Sequence, residues 1–139
     1  MKRSLFVDSS AWYAVADRDD PYHDQAASFL AESLSIYTHL VTTNHVVGES
    51  YTLIRMRLGH MAAQQFLKSL EQTNRLQRVF VVEDQEEAAF ALLRRYDDQD
   101  FSFVDATSFV VAKALRLRDA FAFDQHFATV GLVVLPASH

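Results

Sequence analysis

Apolar residues fall into two kinds of segment along this 139-residue chain. Short apolar runs predict buried strands at residues 5–7, 39–41, 78–82, 120–123 and 132–135. Longer stretches with apolar residues at helical spacing predict helices at 9–16, 23–34, 44–58, 61–71, 85–96 and 102–117. Because short strands alternate with helices, we predict an α/β protein with a mostly parallel sheet and helices on both faces.

Local signals set several of the predicted helix ends. Asp20 is typical of an N-cap and Pro21 of the first helical position, so the second helix is expected to start there. Thr43 or Asn44 caps the third helix, and Gly59 ends it. With three glycines, two prolines and no low-complexity tract, the sequence offers no domain boundary. One domain over residues 1–139 is predicted.

Composition narrows the classes of protein. The chain contains no cysteine, which excludes disulfides and thiolate metal sites and favours a cytoplasmic location. Because no apolar run approaches the roughly 20 residues that span a bilayer, no membrane association is expected. The net charge of -5 argues against binding nucleic acid through a generally basic surface. A polyanionic substrate stays compatible with this charge if several carboxylates bind divalent cations.

Two aspartates follow predicted strands directly. Asp8 comes after the first strand, and Asp124 closes the strand at 120–123. Each is equally well explained as an ordinary helix N-cap, for which aspartate is a preferred residue. In open α/β sheets, however, ligands bind outside the carboxyl ends of the strands, so the two carboxylates are expected at the same edge.

Two further acids lie on predicted helices. Asp105 could form a capping box with Ser102, but it opens a helix so apolar that it must be buried. Glu49 could be a solvated helix residue, but it projects between the directions of Leu53 and Met56, along an apolar sector. Four acids gathered without a neighbouring Lys or Arg in sequence repel one another unless a divalent cation intervenes. An all-oxygen site suits Mg²⁺ or Mn²⁺ better than zinc.

At four segments the sequence resembles the PIN-domain nucleases, and most closely the VapC-type toxins of bacterial toxin-antitoxin pairs. The segments are residues 6–12, 42–49, 101–106 and 122–127, the last followed by Gly131. The resemblance implies a three-layer α/β/α sandwich and endonucleolytic cutting of RNA, with a carboxylate cluster that holds Mg²⁺ or Mn²⁺. It also implies a homodimer that is inhibited by an antitoxin protein.

Carried over to this chain, the resemblance assigns the metal site and its catalytic acids to Asp8, Glu49, Asp105 and Asp124. Ser9 is expected to be a supporting hydroxyl. Phosphate contacts to RNA need cations, and the candidates are Arg55, Arg57, Lys113, Arg116 and Arg118. For any single one of these residues, ordinary solvated surface charge is the better explanation. The six scattered histidines are expected to have structural or surface roles rather than to bind zinc.

Two other functions fit parts of the pattern. One is a non-catalytic PIN-like module that binds a metal or a partner protein, although the complete set of four acids favours an enzyme. The other is a phosphatase or receiver-like domain with its aspartate after the first strand. Asp8 is followed by Ser9 and Ser10, so the second aspartate of a phosphatase pair is missing. A receiver domain leaves Glu49 unexplained.

Overall fold

A computed structural model describes residues 3–137 of the chain. Of the predicted domain over 1–139, residues 1, 2, 138 and 139 therefore lie outside the described residues. Five strands form one sheet in the order β3-β2-β1-β4-β5, and all neighbouring strands are parallel. The strands are β1 (Ser4–Val7), β2 (His39–Thr43), β3 (Leu76–Val79), β4 (Asp119–Phe121) and β5 (Val133–Leu135).

Helices flank this sheet, as the alternation of segments predicts. They are α1 (Ser9–Ala16), α2 (His23–Ile36), α3 (Asn44–Leu58), α4 (His60–Gln72), α5 (Glu83–Arg95), α6 (Phe103–Ala114) and α7 (His126–Thr129). The predicted α/β/α sandwich is thereby confirmed. No helix between residues 3 and 137 has the length and apolar character needed to cross a membrane.

The central strand β1 explains why both faces of the sheet need covering. Leu5, Phe6 and Val7 are all fully buried, so side chains that point to opposite faces are equally shielded from water. Phe121 on β4 and Phe127 on α7 extend this core. Because the strands are parallel, their carboxyl ends meet at one border of the sheet, here called the carboxyl edge.

The predicted third strand, 78–82, is wrong in its bounds. The observed β3 pairs only with β2, through a register from Leu40 opposite Leu76 to Thr43 opposite Val79. Beyond Val79 there is no partner strand to pair with, and Phe80 is 59% exposed. The extent of this edge strand is set by its neighbour rather than by its own apolar residues.

Two predicted helix ends are also wrong. Helix α2 begins at His23, because the Asp20 side chain accepts a hydrogen bond from the Tyr22 amide (2.8 Å) and forms a turn ahead of the helix. Helix α6 ends at Ala114 rather than near 117. Arg116 adopts a positive φ of 57°, and the Leu117 amide bonds back to the Ala112 carbonyl, which closes the helix.

Candidate active site

The four predicted acids line one cleft of about 470 Å³ at the carboxyl edge. Asp8 directly follows β1, and Asp124 lies three residues beyond β4, the strand beside it. Glu49 comes from the second turn of α3, and Asp105 from the first turn of α6. The topology of the sheet therefore brings together acids that are up to 116 residues apart in sequence.

Asp8 is the most deeply buried acid of the cleft, at 2% exposure. Its Oδ2 accepts hydrogen bonds from the Ser10 hydroxyl (2.8 Å) and the Ser10 amide (3.3 Å). The Ser10 hydroxyl in turn accepts a bond from the Phe123 amide (3.0 Å), which ties α1 to the end of β4. The Asp8 Oδ1 is buried and has no hydrogen-bond partner among the described residues. Such an orphaned carboxylate oxygen needs a ligand or a proton.

The electrostatics of the cleft favour protons or cations. Burial raises the pKa of Asp8 to about 7, and the nearby carboxylates of Asp124 and Asp105 add to the rise, against the lowering effect of the Ser10 hydrogen bonds. Burial also raises the pKa of Asp124, opposed by the bond from the His126 amide and reinforced by Asp105. These carboxylates are costly to ionise together without a compensating positive charge.

Asp105 is held on two sides. Its Oδ2 accepts a hydrogen bond from the Ser102 amide (3.0 Å), and the Ser102 hydroxyl accepts one from the Asp105 amide (3.0 Å). The same Oδ2 lies 2.9 Å from Nδ1 of His126. Asp124 accepts a bond from the His126 amide (3.0 Å) through Oδ1. One ligand atom each of Asp105, Asp124 and His126 lie within 4.8 Å of one another.

Asp8 and Asp105 are both helix-capping residues and members of the acid cluster, whereas the N-cap of α7 is Gln125 rather than Asp124. Asp8 caps α1, Asp105 forms the capping box of α6 with Ser102, and Asp124 holds the His126 amide. These bonds occupy only Oδ2 of Asp8, Oδ2 of Asp105 and Oδ1 of Asp124. These hydrogen bonds fix the three carboxylates in place, and one oxygen of each takes no part in them.

Glu49 reaches the cleft for a different reason than the sequence suggests. Met56 is 79% exposed whereas Leu53 packs against the core, so the expected apolar sector around Glu49 is only partly buried. Glu49 is half-buried, and its Oε1 instead accepts a hydrogen bond from the Ser9 hydroxyl. Ser9 thus orients Glu49 toward the cleft from the first turn of α1.

Asp119, a buried acid outside the cleft, is neutralised by a cation of the protein itself. Asp119 lies at the opposite border of the sheet, where it pairs with the Arg3 guanidinium (3.0 Å) and accepts a hydrogen bond from the Tyr37 hydroxyl. Within residues 3–137, none of the four cleft acids forms an ion pair with Arg or Lys. Together with the orphaned Asp8 oxygen, this oxygen-rich donor set fits a hard divalent cation.

Of the five cations predicted to contact RNA, only Arg57 lines the cleft. It lies over the Tyr13 ring, 5.1 Å from its centroid. Arg55 is exposed on the same helix turn but is not part of the cleft. Lys113, Arg116 and Arg118 lie at the end of α6 and in the loop leading to the amino end of β4. The structure therefore places these three toward the border opposite the acids.

Sequence reasoning missed several residues of the cleft. His126 was grouped with the scattered histidines, although its position two residues after Asp124 was a signal. No sequence pattern distinguishes Ser10 from Ser9, so the sequence does not predict the contact between Ser10 and Asp8. Tyr22, Asp20 and Asp100 also line the cleft, and only the fold brings them there.

Comparison with known proteins agrees with this architecture. The PIN domain family model matches residues 5–132. The 23S rRNA-specific endonuclease VapC20 of Mycobacterium tuberculosis is 36% identical over 129 residues, which cover 93% of this chain and 95% of VapC20. The VapC ribonuclease of Archaeoglobus fulgidus is 24% identical over 132 residues, or 92% of this chain and 83% of that protein.

Solved structures give the same result. The crystal structure of M. tuberculosis VapC20, described as a sarcin-ricin-loop-cleaving toxin, superposes with a TM-score of 0.85 at 36% identity, over 93% of this chain and 96% of VapC20. FitAcB from Neisseria gonorrhoeae shares the fold, with a TM-score of 0.65 at 16% identity over 94% and 95% of the two chains. The cluster of acids at the carboxyl edge is thus set in a chain that belongs to the PIN-domain family, among its VapC-type members.

Proposed function

We propose that this chain is a metal-dependent endoribonuclease that acts as the toxin of a toxin-antitoxin pair. The observation that carries the proposal is the cleft of four acids, which lack Arg or Lys partners in the described chain and include a buried oxygen without a hydrogen bond. The similarity to VapC20 extends the proposal to the substrate class, which is 23S rRNA and its sarcin-ricin loop. A cytoplasmic location, a homodimer and an antitoxin partner belong to the same proposal.

The cation proposed for the cleft is Mg²⁺ or Mn²⁺. Asp8 and Asp105 are the most direct ligands, because they are the two most buried acids of the cleft and each keeps one carboxylate oxygen outside its cap. Glu49 and Asp124 complete the site. When bound, the cation would supply Lewis-acid activation of water and stabilisation of the charge that develops on the scissile phosphate.

The protein's own groups position the reactants. Ser9 holds Glu49, and Ser10 holds Asp8 against the end of β4. His126 and the Ser102 amide fix Oδ2 of Asp105, which leaves Oδ1 outside these bonds. Arg57 offers the one guanidinium among the described lining residues that can contact a phosphate of the RNA.

The proposal is tested with the unaltered chain and ribosomal RNA. Purified protein is incubated with 23S rRNA and with an isolated sarcin-ricin-loop hairpin, in Mn²⁺, in Mg²⁺ or in EDTA, and the cut ends are mapped. The expected result is a discrete cut in the loop that requires the metal. A chain that binds metal but leaves every RNA intact would be the non-catalytic PIN-like module instead.

Replacing His126 by alanine is expected to lower metal affinity and cleavage rate by about 10- to 100-fold, since the Asp105 carboxylate loses a group that fixes it. His126→Asn keeps a nitrogen close to the position of Nδ1 and should restore part of the loss. The measurements are Mn²⁺ affinity by calorimetry and the rate of hairpin cleavage. His60→Ala, at an exposed histidine at the start of α4, is the matched control. Equal behaviour of the variants at 126 and 60 would refute the role of His126.

Replacing Arg57 by alanine is expected to raise KM for the hairpin by about tenfold or more, because a charge-assisted bond to phosphate is lost. The dependence of binding on salt should weaken by about one unit of slope. Arg55→Ala removes the same charge from the same helix turn outside the cleft and serves as the control. If the two variants lower affinity equally, Arg57 contributes only general charge.

A further inference from the structure

Two aromatic rings are stacked at the rim of the acid cleft. The Tyr22 ring lies on the Phe123 ring with centroids 4.6 Å apart and an angle of 15° between the planes. Tyr22 is 47% exposed, although its ring is large and apolar. Both residues line the cleft that contains the four acids. One face of the Tyr22 ring is covered by Phe123, and nearly half of the residue's surface is still exposed to solvent.

This pair is fixed before any ligand arrives. The Tyr22 amide donates to the Asp20 side chain, and the intervening Pro21 restricts the backbone. The Phe123 amide donates to the Ser10 hydroxyl, the same hydroxyl that bonds Asp8. Phe123 also contacts the buried Phe121 edge-on, at 6.0 Å between centroids. The position of Tyr22 relative to Asp8 is thus set by packing and hydrogen bonds.

Tyr22 also borders a second cleft, of about 700 Å³, whose described lining includes none of the four acids. Its volume is within the range of clefts that bind small organic groups. Gln25, Ser28 and Glu32 project into it from one face of α2, and Leu135 and Pro136 form another part of its lining. We call this the α2 cleft. It offers hydrogen-bond donors and acceptors beside an exposed aromatic ring.

The charge of the α2 cleft decides which part of a nucleotide it suits. None of its described lining residues is Arg or Lys, and Glu32 is acidic, so a phosphate would be repelled. A base is uncharged, stacks on aromatic rings and presents amino and carbonyl groups at its edge. The phosphates of the same strand would instead lie in the acid cleft, which Tyr22 also lines and where Arg57 and a bound cation would offset the acids.

We propose that Tyr22, backed by Phe123, is the base-stacking residue of a nucleotide subsite in which the α2 cleft receives an unpaired RNA base adjacent to the scissile phosphate. This inference rests on the proposed ribonuclease function. It adds a specificity element, because only a base free to leave its helix can stack there. Gln25 and Glu32 are placed to contact the edge of that base.

The test separates stacking from catalysis by using the Asp8→Asn variant, in which the RNA stays intact. Sarcin-ricin-loop hairpins are prepared with the fluorescent base 2-aminopurine at each unpaired purine position in turn. Binding to Asp8→Asn is expected to quench the fluorescence at one position beside the mapped cut. Adding Tyr22→Leu should abolish that quenching and weaken binding about 5- to 100-fold, the range for losing one base-aromatic stack. Tyr22→Phe should restore both.

Three results distinguish the possible failures. Quenching that depends on Tyr22, with no cleavage by the unaltered chain, supports the subsite and contradicts the ribonuclease function. Cleavage by the unaltered chain with no quenching at any loop position overturns the subsite alone. Quenching and affinity that are unchanged by Tyr22→Leu also overturn it. Thermal melting of each variant checks that the exposed substitution leaves the fold intact.

Discussion

Asp8→Asn is expected to lower metal-dependent RNA cleavage by about 10³-fold or more, the scale on which loss of a central catalytic group acts. Asp8 has the most buried carboxylate of the cleft. Among the described residues that line the cleft, Oδ1 of Asp8 is also the only side-chain oxygen that is buried without a hydrogen bond. Asparagine keeps the size and the ability to accept the Ser10 bonds but not the charge that binds a cation. The cap on α1 is therefore retained while the metal site is lost.

The rate is measured on the sarcin-ricin-loop hairpin at saturating Mn²⁺. Asp105→Asn should behave in the same way, because its available oxygen belongs to the same cluster. Asp97→Asn, at an exposed aspartate outside the cleft, removes one charge without touching the acids and should cut at the unaltered rate. Cleavage by Asp8→Asn at the rate of the Asp97 variant would contradict the assignment.

The same substitution is expected to stabilise the metal-free protein at alkaline pH and to leave its stability nearly unchanged at pH 4. The pKa of Asp8 rises from 3.8 to about 7 on folding. Well below pH 3.8 the carboxyl is protonated in both states and contributes no difference, and near pH 4 the difference is still small. As the pH rises toward 7 the unfolded chain ionises first, so the native state loses stability, by at most about 4 kcal/mol above pH 7. Asparagine removes this cost.

Denaturant unfolding in EDTA at pH 4.5 and pH 8 measures the difference. The gain in the free energy of unfolding for Asp8→Asn should be several-fold larger at pH 8 than at pH 4.5. Added Mn²⁺ should reverse the order at pH 8, because it stabilises only a native state that keeps the carboxylate. A gain that is equal at the two pH values would show that burial of Asp8 does not penalise its charge. Asp97→Asn again provides the control.

The sequence predicts the acid cluster well because parallel topology leaves little freedom. Because β1 and β4 are adjacent and parallel, the residues that follow them lie at the same edge of the sheet, which brings Asp8 and Asp124 together. Asp105 follows from the Ser102 capping signal and the apolar helix behind it. For Glu49, the expected apolar sector is only partly buried, since Met56 is exposed, and a Ser9 hydrogen bond holds the carboxylate in the cleft.

Other features depend on contacts that no local pattern encodes. The bounds of β3 follow from its single neighbour β2, and α6 ends at a positive φ on Arg116, where glycine or asparagine is the usual signal. The roles of Ser9 and Ser10 differ only because α1 points one hydroxyl toward Glu49 and the other toward Asp8 and Phe123. Tyr22 reaches the site from a turn that sequence signals assigned to a helix.

The proposed function requires that the carboxyl-edge acids form a divalent-cation site. The decisive measurement is calorimetric titration of Mn²⁺ into the metal-free chain near pH 7, in buffers of different ionisation enthalpy. A cation site at these acids predicts saturable binding that releases protons, because Asp8 must give up its proton to bind the cation. It also predicts that Asp8→Asn and Asp105→Asn each weaken this binding strongly. Absence of saturable binding, or binding by both variants as tight as that of the unaltered chain, would contradict a cation site at these acids.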